Sequence, residues 1–401
     1  MTAAAEWTWL VYMAGDNNLE GAGRADLAEM KRVGSSAQVS VIVQFDSESN
    51  KTTRYRIEKN KLKTLEQMPG VDSGDPKVLT AFMKWGMKTF PAKRYVLVVW
   101  NHGGGWENLP SDYDYDAIRS AKPRAALRLR RLKRALFRTT VNKIHRRSAQ
   151  ARAIAIDCGS HDYLDNQELR KAVASALPSG RKLDVFGCDA CLMNMMEIAY
   201  EMKDTAGLMV GSEETEPGDG WPYAAILKAL VGKPAMAPAD LARLVVAEYA
   251  KYYKKTREAV TQSALDLGRI PAAAAAVNQL ADALLANLAA NAGAVTLARD
   301  RAQKFDSPEY IDLGDFAAQL AQRLPGDAAV QAAARAVHTV LDTGSPKPFV
   351  IANATCGAKM ARANGVSIYF PRAEDYAPDY ADLMFSREGK WVALLSAIFK
   401  A

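Results

Sequence analysis

Short apolar runs that alternate with helix-period segments constrain this chain more than any other feature. "WTWLVYMA" (7–14), "VSVIVQFD" (39–46), "YVLVVWN" (95–101) and "LDVFGCD" (183–189) are rich in valine and aromatics and bounded by polar residues or glycine. Runs of that length without a polar alternate read as strands buried on both faces. Helical patterns at 19–33, 77–89, 166–176 and 192–202 fall between or after them. Strand alternating with helix predicts an α/β chain with a mostly parallel sheet sandwiched by helices. "TTRYRIEKNKLKTLE" reads as an exposed hairpin turning at Lys59–Asn60. Beyond it come a strand at 206–212 and a Gly/Pro-rich loop, "EETEPGDGWPY". "TQSALDL", an Ala-rich helical stretch at 270–294, and strands at "FVIANAT" and "GVSIYF" follow. The expected organisation is a core at 1–255 and a mixed helical and strand-bearing extension at 256–401 packed on it.

The charge is unevenly placed. Net charge is +7, yet 13 Lys and Arg lie between Arg119 and Arg152, where there is no Asp or Glu; without them 39 basic residues face 45 acidic ones. Basicity therefore belongs to one inserted segment (108–150) and does not mark the whole chain as a nucleic-acid protein. Four cysteines in 401 residues are too few for a disulfide scaffold, and the single C-x-x-C of Cys188 and Cys191 has no partner pair to complete a zinc set. No metal site is expected. The N-terminus lacks a basic n-region and no apolar run reaches membrane-spanning length, so the default expectation is a cytoplasmic protein without a transmembrane segment.

Ligands of open parallel sheets bind at the carboxyl ends of strands. Two reactive residues fall there: His102, before three glycines in "YVLVVWNHGGGW", and Cys191 in "LDVFGCDACLM". A cysteine just ahead of a helix gains thiolate character from the helix dipole, a neighbouring histidine can move its proton, and glycines let backbone N–H groups approach a carbonyl oxygen. Cys188 and Cys158 are rival nucleophiles and His161 a rival base or helix cap, whereas His145 and His338 read as solvated or structural.

Seven ordered stretches between Trp7 and Pro371 carry a resemblance: "WTWLVYMAGDNNLE", "YVLVVWNHGGGW", "AIDCGSHDYLDNQELRKA", "DVFGCDACLMNMMEIAYEM", "GSEETEPGDGWPY", "YIDLGDFA" and "GVSIYFP". The chain resembles the clostripain family of cysteine peptidases, whose core is caspase-like. The resemblance implies a cysteine endopeptidase cutting after Arg, or less often Lys, with His102 and Cys191 catalytic and the Gly103 and Cys191 N–H groups forming an oxyanion hole. It implies Asp189 and Asp219 as the acidic residues of the substrate's basic-side-chain pocket, because a buried cation needs a carboxylate partner. Glu213 and Glu214 are second-rank candidates. Asp219 also reads as a turn-forming residue, and Asp16 and Asn17 as helix caps on the same rim. Some family members depend on calcium, but no calcium loop is present and "DYDYD" (112–116) reads as a solvated acidic loop. The family is largely exported, which this N-terminus does not display; secretion fits a trimmed sequence.

The basic segment then has three readings. It is a packed amphipathic helix with a solvated charged face, a surface for nucleic acid or anionic membrane, or a string of self-cleavage sites between the catalytic His and Cys. The third is favoured, with Arg128, Arg130, Arg131, Arg134 and Arg147 as candidate sites in a zymogen. The alternative for the whole protein is a non-catalytic caspase-like scaffold whose basic helix binds nucleic acid or membrane.

Overall fold

A computed structural model describes residues 4–106, 115–116 and 154–400. The first half lays down strands β1 (Ala5–Gly15), β2 (Val39–Ser47), the hairpin β3 (Lys51–Glu58) and β4 (Lys61–Pro69), and β5 (Ala92–Trp100), with helices α1 (Glu20–Val33) and α2 (Pro76–Thr89). After the basic segment come β6 (Ile154–Asp157), β7 (Asp162–Leu164), α3 (Asn166–Ala176), β8 (Leu183–Asp189), α4 (Met196–Met202), β9 (Ala206–Gly211), α5 (Tyr223–Gly232), α6 (Pro238–Tyr253) and β10 (Val260–Asp266). The remainder holds α7 (Ile270–Ala286), α8 (Leu288–Arg301), β11 (Tyr310–Asp312), α9 (Leu313–Arg323), α10 (Ala328–Leu341), β12 (Val350–Cys356), β13 (Ser367–Tyr369), α11 (Met384–Glu388) and α12 (Trp391–Ile398).

Among the described residues nine strands form one sheet, ordered β12-β10-β9-β8-β5-β1-β2-β3-β4. The five central strands, β9 through β2, run parallel, and antiparallel pairs close both sides. This is the caspase-like α/β class expected from the sequence. The central strand β1 shows why its run carries few polar residues. Leu10, Tyr12 and Ala14 enter one core with Leu79 and Phe82 of α2, while Trp9, Val11 and Met13 enter the other with Leu27 and Met30 of α1 and Ile226 of α5. Both faces are covered, so every side chain of the strand is apolar or bonded.

The chain leaves β1 through α1 to β2 on one side, then returns through β5 to the other side of β1. The carboxyl ends of β1 and β5 therefore splay around a switch point, the position where an open α/β sheet leaves a crevice. β10 and β12 extend the same sheet, and α7, α9 and α10 join the core formed by α2 and α3.

Two local expectations are corrected and a third, a strand near the end of the chain, holds. The helix read at 192–202 begins only at Met196, because Leu192 and Asn194 instead donate to Glu214 and Ser212 carbonyls. The Ala-rich stretch breaks at Asn287 into two helices. "GVSIYF" supplies β13, which pairs with β11 in a small separate sheet.

Helix α4 is tied to that small sheet by one buried carboxyl. Glu197 Oε1 accepts the Tyr369 N–H at 2.9 Å and the Tyr380 hydroxyl at 2.8 Å, while Oε2 has no partner. Burial pushes this carboxyl up from 4.5 to about 7, against the opposing pull of its donors. A carboxyl raised in the native state holds its proton more tightly there than in the unfolded chain. Its contribution is thus complete below pH 4.5 and lost as pH rises through 7. Glu197→Gln removes that loss, so at pH 8 the variant is expected to be more stable than wild type by ~1–3 kcal/mol, with little difference at pH 5. Urea unfolding at the two pH values checks this; an equal destabilisation at both would refute it.

Candidate active site

The site is assembled where β1, β5 and β8 end. Trp100 of β5 pairs with Asp189 of β8, so His102 and Cys191 each lie two residues beyond a matched position. One amide holds these ends together. Asn101 Nδ2 donates to the carbonyls of Ala14 and Ile156, and its Oδ1 accepts the N–H groups of Ile156 and His102. Asn17, fully buried, repeats the bridge by donating to Ala14 and Ile156 carbonyls, and accepts the Leu19 N–H with Oδ1. It braces the turn into α1 and reaches no open cleft.

His102 is 5% exposed, and its Nε2 lies 2.7 Å from Oδ1 of half-buried Asn18. An amide oxygen only accepts, so with this amide orientation Nε2 carries the hydrogen. Asn18 escaped the sequence reading, which stopped at Asp16 and Asn17; nothing in "GDNNLE" distinguishes the two asparagines.

Gly103 brings the histidine loop against the cysteine loop. A Cβ there would stand 2.9 Å from the Ala190 side chain and 3.0 Å from the Cys191 nitrogen, and would overlap the Cys191 carbonyl oxygen. Only glycine allows the two peptides this approach, which sets the Gly103 and Cys191 amides on adjoining backbone. Leu192, next along, has φ +62°, a strained turn for a branched side chain.

Cys191 is 1% exposed. The Glu216 N–H donates to Sγ at 3.2 Å, so the 215–216 peptide covers the sulfur. Burial pushes the thiol up, and Glu216, Asp306 and Glu214 push the same way; only the Glu216 N–H opposes them. The expected thiolate gain from a helix dipole is absent, because the helix begins five residues later. In this resting geometry the sulfur is a neutral thiol.

Beside it lies a small cleft, lined by Trp100, Asn101, Asp189, Cys191, Glu216 and Gly220 among others. Asp189 Oδ2 accepts the Tyr223 hydroxyl at 2.6 Å and the Trp221 N–H at 3.4 Å. Gly220, at φ +53°, lets the loop close on this carboxylate, since a Cβ there would sit 3.0 Å from Oδ1. Behind the cleft Asp26 accepts the Trp100 indole N–H at 2.8 Å. Burial raises Asp26, Asp189 and Glu216 alike, and mutual repulsion adds to this for Asp26 and Glu216. Glu216 was not singled out in the sequence, where it is one acid of four in a polar loop without periodicity.

The other candidates lie as follows. Asp219 accepts the Tyr252 hydroxyl at 3.0 Å, and its glycine neighbours, not the Asp itself, line the cleft. Glu213 turns away to the Gly365 N–H, and Glu214 accepts from Thr215. Asp16 is buried, and its carbonyl accepts the Cys158 N–H. Cys158 and Cys188 are fully buried, and burial pushes the Cys188 thiol well up. His161 stacks on Tyr115 at 5.0 Å, while Asp165 caps α3 through a capping box. His338 is exposed on α10. His145, Asp112, Asp114 and the arginines 128, 130, 131, 134 and 147 lie outside the described residues, whereas Asp116 is exposed. Among the described residues no group of three or more His, Cys, Asp or Glu could hold a metal ion. Among them, too, no helix is long and apolar enough to cross a membrane.

A model of the clostripain family matches residues 11–121 and 142–397. Clostripain of Hathewaya histolytica is 26% identical over 246 residues, which cover 54% of this chain and 40% of that protein, so the chain matches less than half the length of this relative. In fold the chain is similar to a secreted C11 cysteine protease from Bacteroides thetaiotaomicron solved with an irreversible peptide inhibitor. The TM-score is 0.68 at 19% identity, over 98% of this chain and 99% of that one. It is likewise similar to an inactive zymogen C11 protease from Parabacteroides distasonis, with TM-score 0.66 at 20% identity over 97% and 99% of the two chains. The family match runs through both strand ends that carry His102 and Cys191 and through the cleft loop beside them: the chain belongs to the clostripain family.

Proposed function

We propose that this chain is a cysteine endopeptidase that cleaves peptide bonds after arginine, and also lysine. The observation that carries the reading is one cleft lined at once by Cys191 and by the buried carboxylate of Asp189, next to the strand end bearing His102. The clostripain homology supports the same chemistry.

The geometry suggests how each group acts. A basic side chain enters the cleft toward Asp189, which puts the following carbonyl over Sγ. His102 takes the thiol proton as sulfur bonds to the carbonyl carbon, and the carbonyl electron pair moves to oxygen. The N–H groups of Gly103 and Cys191 hold that oxyanion, a role for which preorganised donors are worth ~10²–10³-fold in rate. As the tetrahedral adduct collapses, the C–N bond breaks and His102 returns the proton to the leaving amine. Water then attacks the thioester, again losing a proton through His102, and releases the acid and the thiol. Burial raises the resting thiol, so in this reading the proton passes to His102 only once substrate engages the cleft.

The arginine-rich segment lies in sequence between His102 and Cys191, so we read it as the enzyme's own first substrate. Arg128, Arg130, Arg131, Arg134 and Arg147 are the candidate bonds.

Two predictions follow from this arrangement. Wild type should hydrolyse small Arg-ended amides and gain cuts within 119–152 seen by intact mass. Cys191→Ala should do neither, and His102→Ala should lose ~10²–10⁴-fold in kcat. If neither the intact nor the processed wild type turns over any basic substrate, the peptidase reading is wrong. Asn18→Ala should lower kcat roughly tenfold at nearly constant KM and shift the pH profile, because it frees the imidazole from one tautomer without touching substrate. An unchanged profile would remove Asn18 from the mechanism.

A further inference from the structure

The cleft holds a second carboxyl that neither the family resemblance nor the sequence pointed to. Glu216 is 3% exposed and lines the cleft together with Asp189 and Cys191. Neither of its carboxyl oxygens meets a donor in hydrogen-bond geometry, although the indole N–H of Trp221 and the Asp189 carboxyl lie close enough to act on it. Asp189 differs. It is served by the Tyr223 hydroxyl and the Trp221 amide, two donors that favour its charged form. The described residues lining the cleft include no Lys, Arg or His. Asp189, Asp26, Tyr223, Tyr249, Tyr253, Cys188 and Cys191, the ionisable groups that act on Glu216 from β8 and the residues just after it, α1, α5 and α6, are all acids.

Two adjoining buried carboxyls with no cation among the described residues lining the cleft resist being ionised together. Asp189 keeps its charge because donors, the Glu216 carboxyl among them, oppose the effect of its burial. Glu216 meets no donor in hydrogen-bond geometry, only the nearby Trp221 indole, and keeps the proton, which it turns to Asp189.

We propose that Glu216 and Asp189 together form the cation-binding floor of the cleft, that the empty floor stores one proton on Glu216, and that an entering arginine guanidinium displaces this proton to solvent. No covalent bond changes: one cation enters and one proton leaves, so the charge of the floor is conserved at about −1. The proposal rests on the peptidase reading for the identity of the cation. Its physical consequence is that selection for a charged side chain strengthens with pH. The protonated floor is a weak partner for a guanidinium and a tolerable one for a neutral side chain. The ionised floor pairs the guanidinium with two carboxylates and becomes costly for anything uncharged.

A pair of substrates isolates this effect. Arginine and citrulline are near-isosteres, one charged and one neutral. The ratio of their kcat/KM values cancels the titration of Cys191 and His102. In wild type this ratio should rise with pH above the ordinary carboxylate range, approaching tenfold per pH unit where one proton is exchanged. Glu216→Gln should lower the ratio ~10–100-fold and flatten it; Glu216→Asp should keep the slope at a lower ratio. A wild-type ratio that is flat with pH, or a Glu216→Gln ratio with unchanged height and slope, overturns the proposal. A second measurement does not depend on turnover or on the variants folding. Binding of agmatine, the arginine side chain as a free cation, to the full wild-type chain is followed by calorimetry in two buffers of different ionisation heat. Release of about one proton per agmatine is expected. Binding with no proton release defeats this inference alone, whereas failure to cleave any basic substrate defeats the peptidase reading itself.

Discussion

The side chain of Asn101 is the interaction on which the arrangement of the site depends. Parallel strands end without mutual ties, because each carries its last carbonyls and amides past its neighbour into a loop. Here one amide accepts two N–H groups and donates to two carbonyls, joining the ends of β1, β5 and β6 at the switch point. It also fixes the His102 nitrogen, so the same group that closes the sheet orients the loop bearing the imidazole. A buried amide satisfied at every position is rigid, and a partly satisfied one would be expensive. Asn17 duplicates two of these bonds from the other side, which doubles the constraint at the place where chemistry needs the smallest positional error.

Much of this fold was legible because its physics is periodic. A strand covered on both faces must be apolar throughout, and β1, β2, β5 and β8 appear in the sequence within a few residues of their observed ends. Where the reading failed, a tertiary bond had overridden a local pattern. The stretch after Cys191 is apolar enough for helix, yet its first residues hydrogen-bond to the 212–214 strand extension, and α4 starts late. β11 and β13 are three residues each and exist through each other. The site divides the same way. His102, Cys191 and Asp189 are displayed by strand ends and could be placed. Asn18 and Glu216 are loop residues whose partners lie far along the chain, and no spacing rule announces them.

The acidic character of the centre deserves a physical account, since it runs against the net charge of +7. Asp26, Asp189 and Glu216 are taken from α1, β8 and the loop before α5, so no local run of acids betrays them. Each lies in an apolar frame built from Trp100, Trp221, Tyr223 and Tyr249. Aromatic walls keep the dielectric low and lend hydroxyl or N–H donors at chosen points. The outcome is a negative interior inside a chain whose positive charge is concentrated in one connection.

The covering of Cys191 by the 215–216 peptide has a consequence for the protein's life before it meets a substrate. Oxidants and disulfides react with exposed thiolates, and rates rise with both access and thiolate fraction. A sulfur that is 1% exposed, protonated and held under a backbone N–H offers neither. Cys158 and Cys188 are buried as well. The chain can therefore wait in oxidising surroundings with its reactive sulfur intact. It becomes vulnerable only when something lifts the cover.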